Sequence, residues 1–122
     1  MNNLNVQEKI EKYQEDKKNR VTTTQLRLLL SNAVIIKNKI QVETRAKKGD
    51  EISEKLENEI KYLLVKHIYQ CGRDLDVKSF DENFKISKAI KEIANSAKNF
   101  NKFYHYLEEI IAYMKYYDFD DK

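Results

Sequence analysis

The sequence predicts an all-α protein, a compact bundle of about five helices. Three observations carry this. The 122 residues include no proline and only two glycines, so the chain has few ways to turn except between long helices. Charged residues make up 35% and hydrophobic ones 41%, a mixture suited to helices that bury one stripe and solvate the rest. Apolar residues recur three and four apart over most of the length. A chain of this size supports one domain with a real core.

The elements follow in order. Residues 1–20 are mostly polar, with sparse apolar positions at Val6, Ile10 and Tyr13, and read as a weak or frayed helix serving as a flexible lead-in. Thr22, Thr23 and Thr24 offer hydroxyls to the free N–H groups of a starting helix, and Gly49 offers a stop, which gives a first long helix over residues 24–47. Asp50 and Ser53 are both candidate caps for a second, which Ile52, Leu56, Ile60, Leu63, Leu64 and Ile68 carry to a stop at Gly72. Asp74 or Asp76 can open a short third helix in which Val77, Phe80 and Phe84 share a face. Ile86, Ile90, Ile93, Ala94 and Ala97 mark a fourth. After a break within residues 95–99, a fifth runs through Phe100, Phe103, Tyr104, Leu107, Ile111 and Met114. Residues 21–117 therefore form a single expected domain, and residues 118–122 an acidic tail.

The net charge of +3 hides an asymmetry: residues 21–105 hold 16 basic and 11 acidic side chains, residues 106–122 two basic and five acidic. A basic body suits a polyanionic partner, although mixed-sign charge also keeps any helical protein in solution. The single Cys71 excludes an intrachain disulfide, and the Lys-rich start lacks the apolar run of a signal peptide. No window approaches the roughly 20 consecutive apolar residues of a membrane span. A cytoplasmic protein with no membrane association is expected.

Two helices carry more apolar or aromatic surface than one buried stripe requires. In the first, Leu26, Leu29, Leu30, Ala33, Ile36 and Ile40 form a broad stripe, while Leu28, Ile35 and Val42 recur every seventh residue on the opposite side. Arg27, Ser31, Asn38 and Arg45 occupy the polar lane between them. Burial of this helix on two sides explains the second stripe, and so does contact with another subunit. In the second helix, Tyr62, Val65 and Tyr69 interleave with Lys55, Lys66 and Arg73. Cations meet phosphates and aromatic rings stack on exposed bases, so this mixture suits RNA; tyrosines closing the bundle edge beside snorkelling cations would give the same pattern. Lys85, Lys88, Lys91, Lys98 and Lys102 align on one face if a single axis runs through helices four and five, forming either a solvated face or a second phosphate track.

Motifs for catalysis are scarce. His67 and Cys71 stand four apart, but two ligands do not make a metal site, and both fall on the apolar stripe as a packed histidine and a packed thiol. His105 beside Glu108 and Glu109 reads as a surface ion pair, because the matching Glu and His pairs of a carboxylate-bridged metal helix are missing. No glycine-rich phosphate loop and no nucleophile elbow is present. No cofactor and no catalytic residue is assigned.

Three segments together resemble the Csm small-subunit family of type III-A CRISPR effector complexes. They are TTTQLRLLL at residues 22–30, EIKYLLVKHIYQCGRDLDVKSF at residues 59–80, and FNKFYHYLEEIIAYMKYY at residues 100–117. Their order and spacing agree over about three quarters of the chain, with Cys71 standing where the family pattern has alanine. The resemblance implies a five-helix, non-catalytic subunit present in several stacked copies, in contact with other subunits of the complex and with the guide RNA and target RNA. It carries Arg27, Arg73 and Lys78 over as RNA-binding residues; Arg45, Lys55 and Lys66 join them from their places on the helix faces alone. Arg73 also has a structural explanation, pairing with Asp74 or capping carbonyls at a helix end. The alternative function is a helical protein–protein interaction module without nucleic-acid binding, docking a partner through Leu28, Ile35 and Val42.

Overall fold

The computed structural model describes residues 5–14, 21–47 and 49–117. Among these, six helices make an all-α bundle: α1 (Val6–Gln14), α2 (Thr23–Lys47), α3 (Glu54–Arg73), α4 (Leu75–Phe84), α5 (Ile86–Lys91) and α6 (Ala97–Tyr116). α6 packs against α1 and α2, and α3 packs against α2, α4 and α5. The acidic tail expected at residues 118–122 lies outside the described residues.

α1 differs from the lead-in read from the sequence. Val6, Ile10 and Tyr13 are all buried in the common core. At spacings of four and three they line one face of a nine-residue helix. A sparse apolar pattern is therefore a complete stripe once the element is this short. The Tyr13 ring stands edge-on to Phe84 at 5.5 Å and to Phe80 at 6.4 Å, and its hydroxyl accepts the Val21 N–H at 3.1 Å. This hydrogen bond fixes the chain where α2 begins.

The helix ends follow short polar signals. At the start of α2, Gln25 N–H donates to Thr22 Oγ1 and Thr22 N–H donates to Gln25 Oε1, a reciprocal capping box. Of the two candidate caps for α3, Ser53 serves, accepting the Leu56 N–H. Asp50 instead ties the α2–α3 connection to the start of α6, accepting from Ser96 Oγ at 2.6 Å and from the Lys98 N–H at 2.7 Å. Gly72 does not end α3, which continues through Arg73 to a cap at Asp74; Asp74 then opens α4 by accepting the Asp76 N–H.

The fourth helix is shorter than its apolar series suggests. α5 ends at Lys91, and residues 92–95 form turns with Ala94 in the left-handed region at φ 52°. Ile93 stays buried although it is no longer helical. The axis does not run unbroken from α5 into α6, so the five lysines expected on one face do not share it through a common helix; Lys85, Lys88 and Lys102 line adjoining depressions that Lys91 and Lys98 do not enter.

Candidate nucleic-acid interface

Helices α2 and α3 lie side by side, and their seam decides the roles of the stripes. On α2 the broad stripe is core, with Leu26, Leu29, Ala33, Ile36 and Ile40 buried and Leu30 partly so. Among the described residues no neighbour covers the heptad stripe: Leu28 is 52% exposed, Ile35 52% and Val42 67%. Burial of α2 on two sides is thus excluded as its explanation.

The aromatic and cationic stripe of α3 lies along the same seam. Three shallow depressions follow it, and each includes one residue of the exposed heptad stripe of α2 and one lysine of α3. Leu28 and Lys66 line the first together with Asn32; Ile35, Tyr62 and Lys66 line the second; Val42 and Lys55 line the third. An ion pair between Lys39 and Glu59 at 2.9 Å bridges the two helices. Tyr62 and Tyr69 are 61% and 66% exposed, so their rings are available surface and do not close the edge of the bundle. The Lys66 ammonium sits 4.7 Å from the Tyr62 ring centroid, a cation–π contact that holds both groups at the seam.

The six candidate cations divide into three groups. Lys55 and Lys66 lie in the seam. Arg27 and Arg45 are exposed on the far flank of the Leu28, Ile35, Val42 stripe, where 100° per residue places them. Arg73 and Lys78 lie at the end of α3 and on α4, both exposed, with Lys78 close enough to Cys71 to act on its thiol. Of the two structural alternatives for Arg73, pairing with Asp74 does not occur among the described residues; Asp74 accepts from Gln25 Nε2 at 2.7 Å and caps α4. Among the described residues none of the six forms an ion pair.

The tertiary structure adds a partly buried polar cluster, centred on the buried His67, that spacing could not reveal. His67 and Cys71 lie near Asp81 of α4, with His67 Nε2 2.9 Å from Asp81 Oδ1 and 3.7 Å from Cys71 Sγ. One ligand atom from each falls within 4.8 Å of the others, an arrangement that could hold a metal ion. Hydrogen bonds already account for it: Asp81 also accepts from the Ser87 N–H at 2.7 Å and from Ser87 Oγ at 2.8 Å. Burial pushes the Cys71 thiol up to about 11, and the carboxylates of Asp81 and Glu82 add to this, so the thiolate that would bind metal is disfavoured near neutral pH. The cluster ties α3 to α4 and to the first turn of α5. At the surface, His105 Nδ1 lies 3.2 Å from Glu108, as the sequence suggests.

Asp81 makes a pH-dependent contribution to this tie. Burial alone would raise its carboxyl, but hydrogen bonds from His67 and Ser87 outweigh burial and leave it below the ordinary carboxylate range. A carboxyl lowered by folding stabilises the fold above its unfolded value near 3.9, and that stability is lost as pH falls through the folded value. Asp81→Asn is expected to cost on the order of 1–2 kcal/mol at pH 7 and progressively less below about pH 4. Urea denaturation of both proteins at the two pH values checks this; an equal cost at both would contradict the assignment.

Comparison with known proteins places the chain in a family. A family model described as Csm2 Type III-A matches residues 3–120. Relatives named CRISPR system Cms protein Csm2 include that of Mycobacterium tuberculosis (strain ATCC 25618 / H37Rv), 36% identical over 102 residues covering 84% of this chain and 79% of the relative. That of Streptococcus thermophilus is 34% identical over 97 residues, covering 80% and 73%. That of Enterococcus italicus is 30% identical over 105 residues, covering 84% and 72%. With nearly the whole length matched by one family model, this chain belongs to the Csm2 small-subunit family of type III-A CRISPR systems.

Proposed function

We propose that this chain is a non-catalytic small subunit of the type III-A effector complex that stacks in several copies and contacts the guide RNA–target RNA duplex through the α2–α3 face. The observation that carries this reading is the seam itself. Lys66 stands over the exposed Tyr62 ring and Lys55 lies further along the seam, with Arg27 and Arg45 on the next lane of α2, and none of these cations has an acidic partner among the described residues. Unpaired cations of this kind can neutralise backbone phosphates with little dependence on base identity. The Leu28, Ile35, Val42 stripe next to them gives each copy an apolar strip for its neighbour. Arg73 and Lys78 extend the basic surface beyond the seam.

Exposure of that apolar stripe also favours the second reading, a protein-interaction bundle whose charges serve only solubility. The two differ in salt dependence. Under the first, the purified chain binds RNA weakly, more tightly as the RNA lengthens, and with affinity falling steeply as salt rises. Under the second it binds a protein partner and no RNA at any salt. Purification of the subunit from its native cells, followed by sequencing of the RNA that accompanies it, is expected to return guide-length RNA from a repeat array. Recovery of the assembled protein complex free of such RNA would overturn the RNA-contacting role.

A further inference from the structure

A second basic surface lies away from the α2–α3 seam and shares no lining residue with it. A groove of about 500 Å3 runs between α1 and the α4–α5 corner, with Lys9, Phe84, Lys85, Lys88, Glu92 and Tyr106 on its walls. It adjoins a depression of about 400 Å3 that shares Ala89, Glu92 and Tyr106 and adds Asn99, Lys102 and Phe103. The result is an open trough with lysines at both ends.

Lys9 is held in place. Its ammonium lies 5.8 Å from the centroids of both Phe84 and Tyr106 and 3.4 Å from the Tyr106 hydroxyl, to which it donates. Tyr106 in turn donates to the Phe84 carbonyl at 2.8 Å, which fixes its ring as the wall of the groove. Lys85 comes from the α4–α5 corner, where the backbone is left-handed at φ 58°. Burial, and then the charge of Lys85, lower the Lys9 ammonium below its ordinary value. Glu92 lines the trough and Glu109 acts on the Tyr106 hydroxyl, yet Lys9, Lys85, Lys88 and Lys102 form no ion pair among the described residues. Like charges gathered in a partly buried groove raise its free energy, and an anion seated between them removes that cost.

We infer that this trough binds the phosphates of a nucleic-acid strand, as a second contact surface separate from the α2–α3 face. A strand fits better than a compact anion because the trough spans two adjoining depressions open to solvent, with Lys9, Lys85 and Lys88 lining one and Lys102 the other. The inference deepens the proposed RNA-contacting role, and its test separates the two surfaces.

The test measures binding of fluorescently labelled single-stranded RNA to the full chain over a range of salt, for wild type and two groups of variants. In one group the trough carries Lys9→Gln with Lys85→Gln and Lys88→Gln, or Lys88→Gln with Lys102→Gln at two exposed positions that the fold does not need. In the other the seam carries Arg27→Glu with Lys66→Glu. Each trough lysine removed is expected to lower the slope of log affinity against log salt by about 0.7, so the triple variant loses about 2 in slope and tenfold or more in affinity. The same loss is expected when the trough changes are placed on the seam variant. An unchanged slope in both trough variants, with helical circular dichroism intact, overturns the inference while leaving the seam reading standing. Loss of binding in the trough variants alone sustains it and removes the seam. Inorganic pyrophosphate at millimolar concentration is expected to displace the RNA only weakly; displacement as strong as that by unlabelled RNA would overturn the assignment to a strand.

Discussion

Ile10→Ala is expected to lower the free energy of unfolding by about 2–5 kcal/mol, the range for truncating a large aliphatic side chain in a packed interior. Ile10 is 0% exposed and belongs to the same buried cluster as Phe80, Phe84, Leu107 and Ile110. A domain of this size has a net stability of only about 5–15 kcal/mol, so the change removes a large share of it. The matching control is Lys12→Ala on the exposed side of the same helix, expected within about 0.5 kcal/mol of wild type. Urea denaturation followed by circular dichroism checks both. A lead-in not packed on the core would leave the midpoint of Ile10→Ala where the wild type has it, and that result would detach α1 from the bundle.

The largest functional effect is expected from Arg27→Glu combined with Lys66→Glu. The pair removes two positive charges and adds two negative ones on a face where, among the described residues, no acidic side chain pairs with either residue. On a duplex, every phosphate left without its cation lowers the salt slope by about 1, so the double variant is expected to drop by about 2 in slope and tenfold or more in affinity at moderate salt, uniformly across base sequences. Both side chains are exposed, so the fold survives; the cation–π pair between Lys66 and Tyr62 is removed, at a cost of about 0.5–1 kcal/mol for an exposed site. Filter binding of a guide–target duplex at several salt concentrations, alongside thermal denaturation, separates loss of binding from loss of structure. Wild-type affinity in the folded double variant would remove the seam from the RNA interface.

The strong signals in the sequence were the local ones. The long helices, the capping residues Thr22, Ser53 and Asp74, and the core stripes of α2 and α6 are set by periodicity and by which side chains can satisfy free N–H groups; the stripe expected on α3 is core at Leu56, Ile60 and Leu63, but Ile68 at its end is 49% exposed. The six candidate cations were all legible as polar positions on helix faces, and all six are exposed. Other features depended on distant partners. Val6, Ile10 and Tyr13 look too sparse for a core element until Phe80, Phe84 and α6 supply the surface they cover. The apparent lysine track across α5 and α6 assumed one axis, and the turns at residues 92–95 break it.

Helical period and charge spacing are written into a single chain, and they suffice to make this protein helical and to give α2 and α3 more than one patterned face each. Which of the two α2 stripes is buried depends on the neighbour that arrives, and packing settled it. Packing α3 against one flank of α2 left Leu28, Ile35 and Val42 in the open and placed Lys55, Tyr62 and Lys66 along the same seam. The same folding brought Lys9 from the first helix to Lys85 and Lys88, residues more than seventy positions away, and turned a scattered set of lysines into one groove.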